Sequence, residues 1–322
     1  MPHDLRFDVS SALPQQVAQG APQWIAAWLF MPPHIDPEQR QTVLVCLHGG
    51  SYDKRYYHLE VPGCTDYSMA AHLAEQGNIV LVFDWLGVGD SSRPADPAAA
   101  DRHVVAAAHH AAASQAFDRL MDGTLYPDLP ALPLLQRIGV GHASGAMLAI
   151  TQQAGFATFD RLVLMGYTAQ EVVREPTLEL PRERWSSRLQ RIDEHYLRLD
   201  RQALRTIFHW PDVPAALLVA DDASAVPLPA VLAEQSVTPG IVAEDAARLE
   251  VPLFLCLGER DVSPAVEHES ACYASASHLT FLLLSQSGHC HNFSSRRRDL
   301  WERIHQWAAL DRLPDCRLEH CA

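Results

Sequence analysis

The feature that most constrains the fold is a five-residue segment with glycine at both ends, Gly141-His142-Ala143-Ser144-Gly145. An apolar run at 134–140 precedes it, and small and apolar residues at 146–150 follow it. This order is typical of a strand, a sharp turn and a helix, in which the small terminal residues let strand and helix approach closely. The chain is therefore expected to fold around a sheet whose strands run into helices.

The centre of that turn is the second informative feature. In a G-x-S-x-G segment the central serine is a catalytic nucleophile, and the following helix points free N–H groups at a developing oxyanion. Here the central position holds Ala143, which has no nucleophilic group. Ser144 has a hydroxyl one residue later. We expect it to supply a backbone N–H to an oxyanion hole, with a displaced nucleophile as the alternative.

Apolar runs alternate with helical patterns, which predicts an α/β fold with a mainly parallel sheet. Strands are predicted at 5–9, 24–31, 42–47, 79–84, 135–140, 161–165, 253–257 and 279–284, and helices at 68–76, 104–121, 144–153 and 295–310. His109 and His110 are interpreted as a surface pair on the second helix. Between 169 and 244, charged helical segments and prolines interrupt this rhythm. We expect a helical cap there, inserted into a core formed by 1–168 and 245–322.

Composition limits the partners. The 322-residue chain has a formal net charge of −14, which disfavours nucleic acid and anionic membranes. It starts without a signal-peptide pattern and has no apolar run of membrane-spanning length. Seven cysteines without paired spacing favour free thiols in a reducing compartment. We expect a cytoplasmic protein that acts on a small molecule; the sequence does not indicate an oligomeric state.

Two further motifs follow predicted strands. The strand at 43–47 runs into His48-Gly49-Gly50, where the Gly50 N–H is the predicted second oxyanion donor, although such a pair also serves as a simple turn. The strand at 253–257 runs into a loop with two carboxylates. Asp261 is the predicted acid that orients a histidine, with Glu259 as the alternative and two solvated charges as the trivial interpretation.

The last predicted strand leads to Gly288-His289-Cys290-His291. His289, on a loop behind a glycine, is the predicted general base, and His291 is the alternative. A His-Cys-His triplet is also compatible with a metal, but no second ligand cluster has suitable spacing. The sequence therefore predicts neither a metal nor another cofactor.

The order of positions 143, 261 and 289 matches nucleophile, acid and base in one triad type. Together with the loop Asp84-Trp85-Leu86-Gly87-Val88-Gly89-Asp90-Ser91, these motifs resemble the α/β-hydrolase superfamily over residues 24–322. The resemblance implies an eight-stranded sheet and hydrolysis of an ester, thioester, lactone or amide through an acyl-enzyme. Predicted substrate contacts are Ser51, Trp85, Trp185, Phe208 and Trp210.

The missing serine leaves three hypotheses. The chain is a serine hydrolase disabled by alanine at position 143, with Asp261, His289, Gly50 and Ser144 otherwise ready. Alternatively, it is a non-covalent lyase, isomerase or cyclase that uses a His289–Asp261 dyad. Finally, it is a ligand-binding protein that retains the fold without catalysis. An aromatic cap and an apolar core favour a largely apolar small molecule in each case.

Overall fold

A computed structural model describes residues 2–170, 188–263 and 266–310. The strands are β1 (His3–Asp8), β2 (Trp24–Phe30), β3 (Gln41–Leu47), β4 (Ile79–Phe83), β5 (Leu135–His142), β6 (Arg161–Met165), β7 (Leu189–Arg191), β8 (Tyr196–Leu199), β9 (Leu228–Pro229), β10 (Leu253–Gly258) and β11 (Leu279–Leu284). The α-helices are α1 (Gln15–Ala18), α2 (Met69–Glu75), α3 (Arg102–Met121), α4 (Ser144–Phe156), α5 (Arg205–Phe208), α6 (Ala215–Ala223), α7 (Ala230–Ser236), α8 (Ala243–Ala247), α9 (Val266–Glu269) and α10 (Arg297–Ala309).

Eight strands form one sheet in the order β1-β2-β4-β3-β5-β6-β10-β11. The six strands from β4 to β11 are parallel, whereas β1 and β2 pair antiparallel at one edge. Because these six strands are parallel, the loops after β3, β5, β10 and β11 leave from the same edge of the sheet. The four sequence motifs therefore meet there.

Helices cover both faces of the sheet, and the strand sequences explain why. In β3, Val43, Val45 and Leu47 face one core, while Leu44 and Cys46 face the other. The first core also holds apolar residues of α3 and α4; the second holds those of α2 and α10. Strands buried on both faces need continuous apolar runs, which is the pattern that the sequence contains.

The predicted elements of the large sheet and its helices are confirmed, with ends that differ by a few residues. The helix predicted at 295–310 is α10, whose buried face comprises Leu300, Trp301, Ile304, Trp307 and Ala308. The prediction of a surface pair in α3 is wrong for His109, which is fully buried. The five cysteines in the described residues, at 46, 64, 256, 272 and 290, are free.

The chain between β6 and β10 departs most from expectation. We call its described part, residues 188–250, the connecting segment. It contains helices α5 to α8, as the sequence predicts, but also a small antiparallel sheet in the order β7-β8-β9. These strands have only two to four residues, which is too short for an apolar alternation to mark them.

The loop after β4 is fixed by buried charges. The carboxylate of Asp84 accepts hydrogen bonds from Lys54 Nζ (2.6 Å) and from the N–H groups of Lys54 and Asp90 (both 2.8 Å). A Cβ at Gly89 would collide with this carboxylate, and Gly89 also has a φ of +59°. The glycine is therefore required both by its conformation and by the space left to it.

Within the described ranges, none of the helices combines the length and hydropathy that a bilayer crossing requires.

Candidate active site

The turn between β5 and α4 has the strained geometry that the sequence predicts. Ala143 has φ 52° and ψ −123°, a backbone conformation rare for residues with a side chain. Its N–H donates to Met165 O (2.8 Å), and its carbonyl accepts from Ala146 N (2.8 Å). A Cβ at Gly145 would collide with the carbonyl oxygens of Leu47 and His48, at the end of β3. The two hydrogen bonds of Ala143, together with the close approach that Gly145 allows, hold Ala143 at the tip of the turn.

The two predicted oxyanion donors lie beside that tip. Gly50 and Ser144 line the same cavity as Ala143. The Gly50 N–H has no acceptor among the described residues, and Ser144 is the first residue of α4, where N–H groups have no partner within the helix. A Cβ at Gly50 would lie 3.2 Å from Ser144 Oγ. The Ser144 hydroxyl therefore faces the loop of Gly50.

Asp261 and His289 form a buried pair at the same edge. His289 Nδ1 donates to Asp261 Oδ1 at 2.7 Å, and their side chains are 8% and 1% exposed. Since Nδ1 carries the shared proton, the neutral ring leaves Nε2 as an acceptor. His289 also lines the cavity, so its ring stands between the carboxylate and that space.

The carboxylate of Asp261 is held by more donors than the sequence predicts. His291 Nε2 donates to Oδ2 at 2.8 Å, and the N–H groups of Gly258 and Val262 also donate at 2.8 Å. Burial alone would raise the pKa of Asp261, but the two histidines outweigh it and hold that pKa far below its usual range. Asp261 therefore stays ionised, and His291 acts on the acid rather than in the cavity.

Glu259, the alternative acid, is exposed, and its carboxylate accepts from Gln286 N at 2.9 Å. Glu259 thus binds the loop that follows β11. Asp261, and not Glu259, is the carboxylate bound to His289.

His142 contacts the backbone of the loop that carries His289. Its Nε2 donates to the carbonyl oxygen of His289 at 2.8 Å, and its ring stacks on Tyr56 with centroids 4.4 Å apart. Burial lowers the pKa of His142 far below its usual value, and the neighbouring histidines lower it further. It is therefore neutral at pH 7 and acts as a fixed hydrogen-bond donor.

The cavity over Ala143 is mostly apolar. The connecting segment supplies nearly half of the lining residues, namely Leu189, Leu199, Phe208, Leu228, Ala233, Ser236 and Val237. Gly166, Tyr167, Thr168 and Val262 also line the cavity. Among the described residues, its lining contains no Lys, Arg, Asp or Glu. Such a wall suits an uncharged, largely apolar ligand.

The structure places one of the predicted substrate contacts in the cavity lining and three of them outside it. Phe208 lines the cavity, with its ring 5.3 Å from that of His289. Trp85 is fully buried and stacks on His48 at 4.7 Å, and Trp210 lies under the guanidinium of Arg260 at 4.3 Å. Ser51 is 1% exposed and is bonded to Arg201. None of these three is in the described cavity lining, and Trp185 lies outside the described residues.

The apolar wall residues were missed at the sequence level. Their side chains carry no chemistry, and Leu189, Leu199 and Leu228 look like ordinary core residues in sequence. In the described residues there is also no group of three or more His, Cys, Asp or Glu arranged to hold a metal ion.

The arrangement can bind a carbonyl compound, accept its developing negative charge on two N–H groups and take a proton at His289 Nε2. It lacks a hydroxyl at position 143, and therefore the group that would attack the carbonyl carbon in an acyl-enzyme mechanism.

Similar folds occur in several solved structures. A bromoperoxidase from Bacillus anthracis superposes with a TM-score of 0.64 at 15% identity, covering 95% of this chain and 99% of that one. An esterase from Exiguobacterium antarcticum gives 0.65 at 16%, covering 91% and 97%. A proline iminopeptidase from Mycobacterium smegmatis gives 0.58 at 15%, covering 91% and 96%. At these identities the likeness concerns the fold.

A search of curated proteins found no match. The sequence model of the alpha/beta hydrolase family matches residues 44–303, which is most of the chain and includes all four motif loops. The eight-stranded sheet, the strained turn after β5 and this match agree, and the chain belongs to the α/β-hydrolase family.

Proposed function

We propose that this chain binds a largely apolar ester, lactone or thioester of a small molecule and carries an acyl-transfer site that lacks only its nucleophile. The observation that carries the proposal is the strained turn. Ala143 is held at φ 52° beside the hydrogen-bonded Asp261–His289 pair and two N–H groups without an acceptor among the described residues. This is the backbone conformation in which a strand–turn–helix elbow presents a nucleophile to a bound carbonyl group.

In this proposal each group has one role. A serine hydroxyl at position 143 would attack the acyl carbon, His289 would take its proton, and Asp261 would fix the tautomer of His289. The N–H groups of Gly50 and Ser144 would hold the oxyanion. The connecting segment serves as a cap, because it supplies nearly half of the residues that line the cavity over the turn.

The first test installs the hydroxyl by Ala143→Ser. With nitrophenyl esters of short and medium acyl chains, we expect kcat to rise toward about 10⁶-fold over the alanine chain, the scale on which a triad nucleophile acts. A fluorophosphonate probe should add one adduct to the serine form, seen by intact mass, and none to the alanine form. A serine form that stays inert and unlabelled would contradict the proposal.

Ser144→Ala is the matched control. It removes the neighbouring hydroxyl but keeps the backbone N–H. In the Ala143→Ser background it should leave labelling unchanged. Loss of labelling would instead identify Ser144 as the nucleophile.

A second function is favoured by one observation. The Asp261–His289 pair is intact in a chain without a serine, and His289 borders the cavity. We infer as the alternative that His289 removes a proton directly from substrate or from water, in a non-covalent reaction. Turnover by the unsubstituted chain that disappears in His289→Ala would support it. Ligand binding without turnover, indifferent to that substitution, would exclude it.

A further inference from the structure

Arg201 is the most completely enclosed cation of the connecting segment. The residue is 4% exposed, and its guanidinium stacks on the ring of Tyr52 at 3.7 Å. Its Nη1 donates to the backbone oxygen (2.6 Å) and carboxylate (3.2 Å) of Asp221 and to Ser224 Oγ (3.3 Å). A buried cation with this many partners is rigidly held.

The other side of the guanidinium holds Ser51. Arg201 Nε donates to Ser51 Oγ at 3.1 Å, and Nη2 donates to the Ser51 carbonyl oxygen. That carbonyl also accepts from Val226 N at 3.1 Å. Ser51 is the residue directly after Gly50, so three bonds from the connecting segment end one residue from a predicted oxyanion donor.

Ser51 also has an unfavourable backbone conformation. Its φ is +62°, in the left-handed region that residues with a side chain rarely adopt. Such a conformation persists only where surrounding contacts impose it. Bonds to both oxygens of Ser51 are contacts of that kind.

The same stretch of chain also contacts the loop of His289. The N–H groups of His289 and Cys290 donate to the carbonyl oxygens of Ile207 and Phe208, both at 2.9 Å. Arg201 is connected to this loop a second time, because Tyr52 Oη lies 3.1 Å from Cys290 Sγ. The connecting segment therefore contacts both loops that border Ala143, so a change in its position would move both.

We propose that Arg201 is a positioning residue for the oxyanion hole: by holding both oxygens of Ser51, it fixes the N–H of Gly50 at the cavity wall. Arg201 touches no reacting atom and acts through Ser51. The catalytic consequence rests on the proposed function, since an oxyanion hole affects rate only where negative charge develops on a bound carbonyl.

Kinetics in the Ala143→Ser form test this consequence. Arg201→Lys keeps the charge but not a planar fork that spans Ser51 and Asp221. We expect kcat to fall about 10- to 100-fold, less than the loss of a whole oxyanion donor, with KM changed less than about threefold. Arg205→Met is the control, because Arg205 pairs with Asp222 in the same segment and is partly exposed. It should change kcat less than about twofold.

Hydrogen exchange supplies a readout that needs no activity. In the unsubstituted chain, Arg201→Lys should speed amide exchange about tenfold at Tyr52 and Val226, whose N–H groups donate to Gly49 O (3.3 Å) and Ser51 O (3.1 Å), while the amides of α4 keep their rates. This measurement decides the positioning role even if the serine form proves inert, an outcome that would contradict only the proposed function.

Three results would overturn the inference. The first is unchanged exchange at Tyr52 and Val226 in a folded Arg201→Lys chain. The second is an equal fall in kcat for Arg201→Lys and Arg205→Met, which would indicate general loosening of the connecting segment. The third is a lower melting temperature with unchanged kcat and exchange, which would reduce Arg201 to a structural role.

Discussion

Two buried aspartates, Asp261 and Asp221, each bind a histidine at a short distance and differ in what else surrounds them. Asp261 binds His289 at 2.7 Å, and Asp221 binds His209 at 2.9 Å; the carboxylates are 1% and 0% exposed. Asp261 is otherwise surrounded by neutral N–H groups and His291, whereas Asp221 also binds the permanent cation Arg201.

The two pairs also differ in what surrounds the second ring nitrogen of the histidine. The ring of His289 borders the cavity, so its Nε2 can meet a ligand. Nδ1 of His209 is buried and has no partner among the described residues. The same pair of side chains therefore borders the cavity at one place, where we propose proton transfer, and attaches the connecting segment at the other. A short Asp–His distance alone does not identify an active site.

The largest expected difference between the pairs is in catalysis. In the Ala143→Ser form, Asp261→Asn should lower kcat/KM about 10⁴-fold, because His289 loses the partner that fixes its tautomer. Asp221→Asn should lower it by at most about 100-fold, through Arg201 and the oxyanion hole. Ester hydrolysis by the two purified variants checks this. Equal losses would mean that the pairs are not functionally distinct.

For the free energy of unfolding, we expect Asp221 to matter more than a partly exposed aspartate of the same segment. Asp221→Asn leaves the Arg201 guanidinium buried without its counter-charge, and the unfolding free energy should fall by about 3–5 kcal/mol. Asp222→Asn, which affects a partly exposed pair with Arg205, should cost less than about 1 kcal/mol. Urea unfolding at pH 7 measures both changes. A loss at Asp221 no larger than at Asp222 would show that Arg201 finds another partner.

A third buried histidine, His109, extends the comparison because no carboxylate of the described residues is bound to its ring. Neither ring nitrogen of His109 has a hydrogen-bond partner in the described structure, and burial lowers its pKa to about 3. Since an unfolded histidine takes up a proton near pH 6.5, His109 destabilises the fold progressively as pH falls from 6.5 toward 3. In His109→Leu, the stability lost between pH 7 and pH 4 should shrink by about 3 kcal/mol.

Urea unfolding of both chains at the two pH values provides this test. An unchanged pH dependence would show that His109 is already protonated or solvated in the native state.

The smallest effect is expected at His291. A depressed pKa at Asp261 contributes stability that is present above its unfolded pKa, near 4, and is lost as pH falls through the folded value. His291→Leu removes one donor, so the folded pKa rises and the stability at pH 7 should fall by about 2 kcal/mol. Urea unfolding at pH 7 measures this loss, with the unsubstituted chain as reference. An unchanged free energy of unfolding at pH 7 would show that His291 does not support the charge of Asp261.

The large sheet was predictable because its strands carry continuous apolar runs, and the loops of Ala143, Asp261 and His289 because each follows such a strand. The three-stranded sheet of the connecting segment was not, since its strands are too short to show a period. Neither was the bond of Arg201 to Ser51, which joins residues 150 positions apart without any local signal.

Substrate contacts were the least predictable part of the site. Trp85 lies within a motif loop in the sequence, but its side chain points into the core, where it stacks on His48. Proximity in sequence to a functional loop does not fix the direction of a side chain. The apolar walls, by contrast, look like any buried leucine until the chain is folded.

The backbone of Ala143 has a genetic consequence. Every alanine codon becomes a serine codon when its first base changes from G to T. The backbone at position 143 already has the conformation in which a nucleophile is presented, and its neighbours are in place. A single mutation would therefore place a hydroxyl at the tip of the turn without rebuilding its backbone. Under the proposed function, one base change in either direction separates a chain without the nucleophile from a chain that has it.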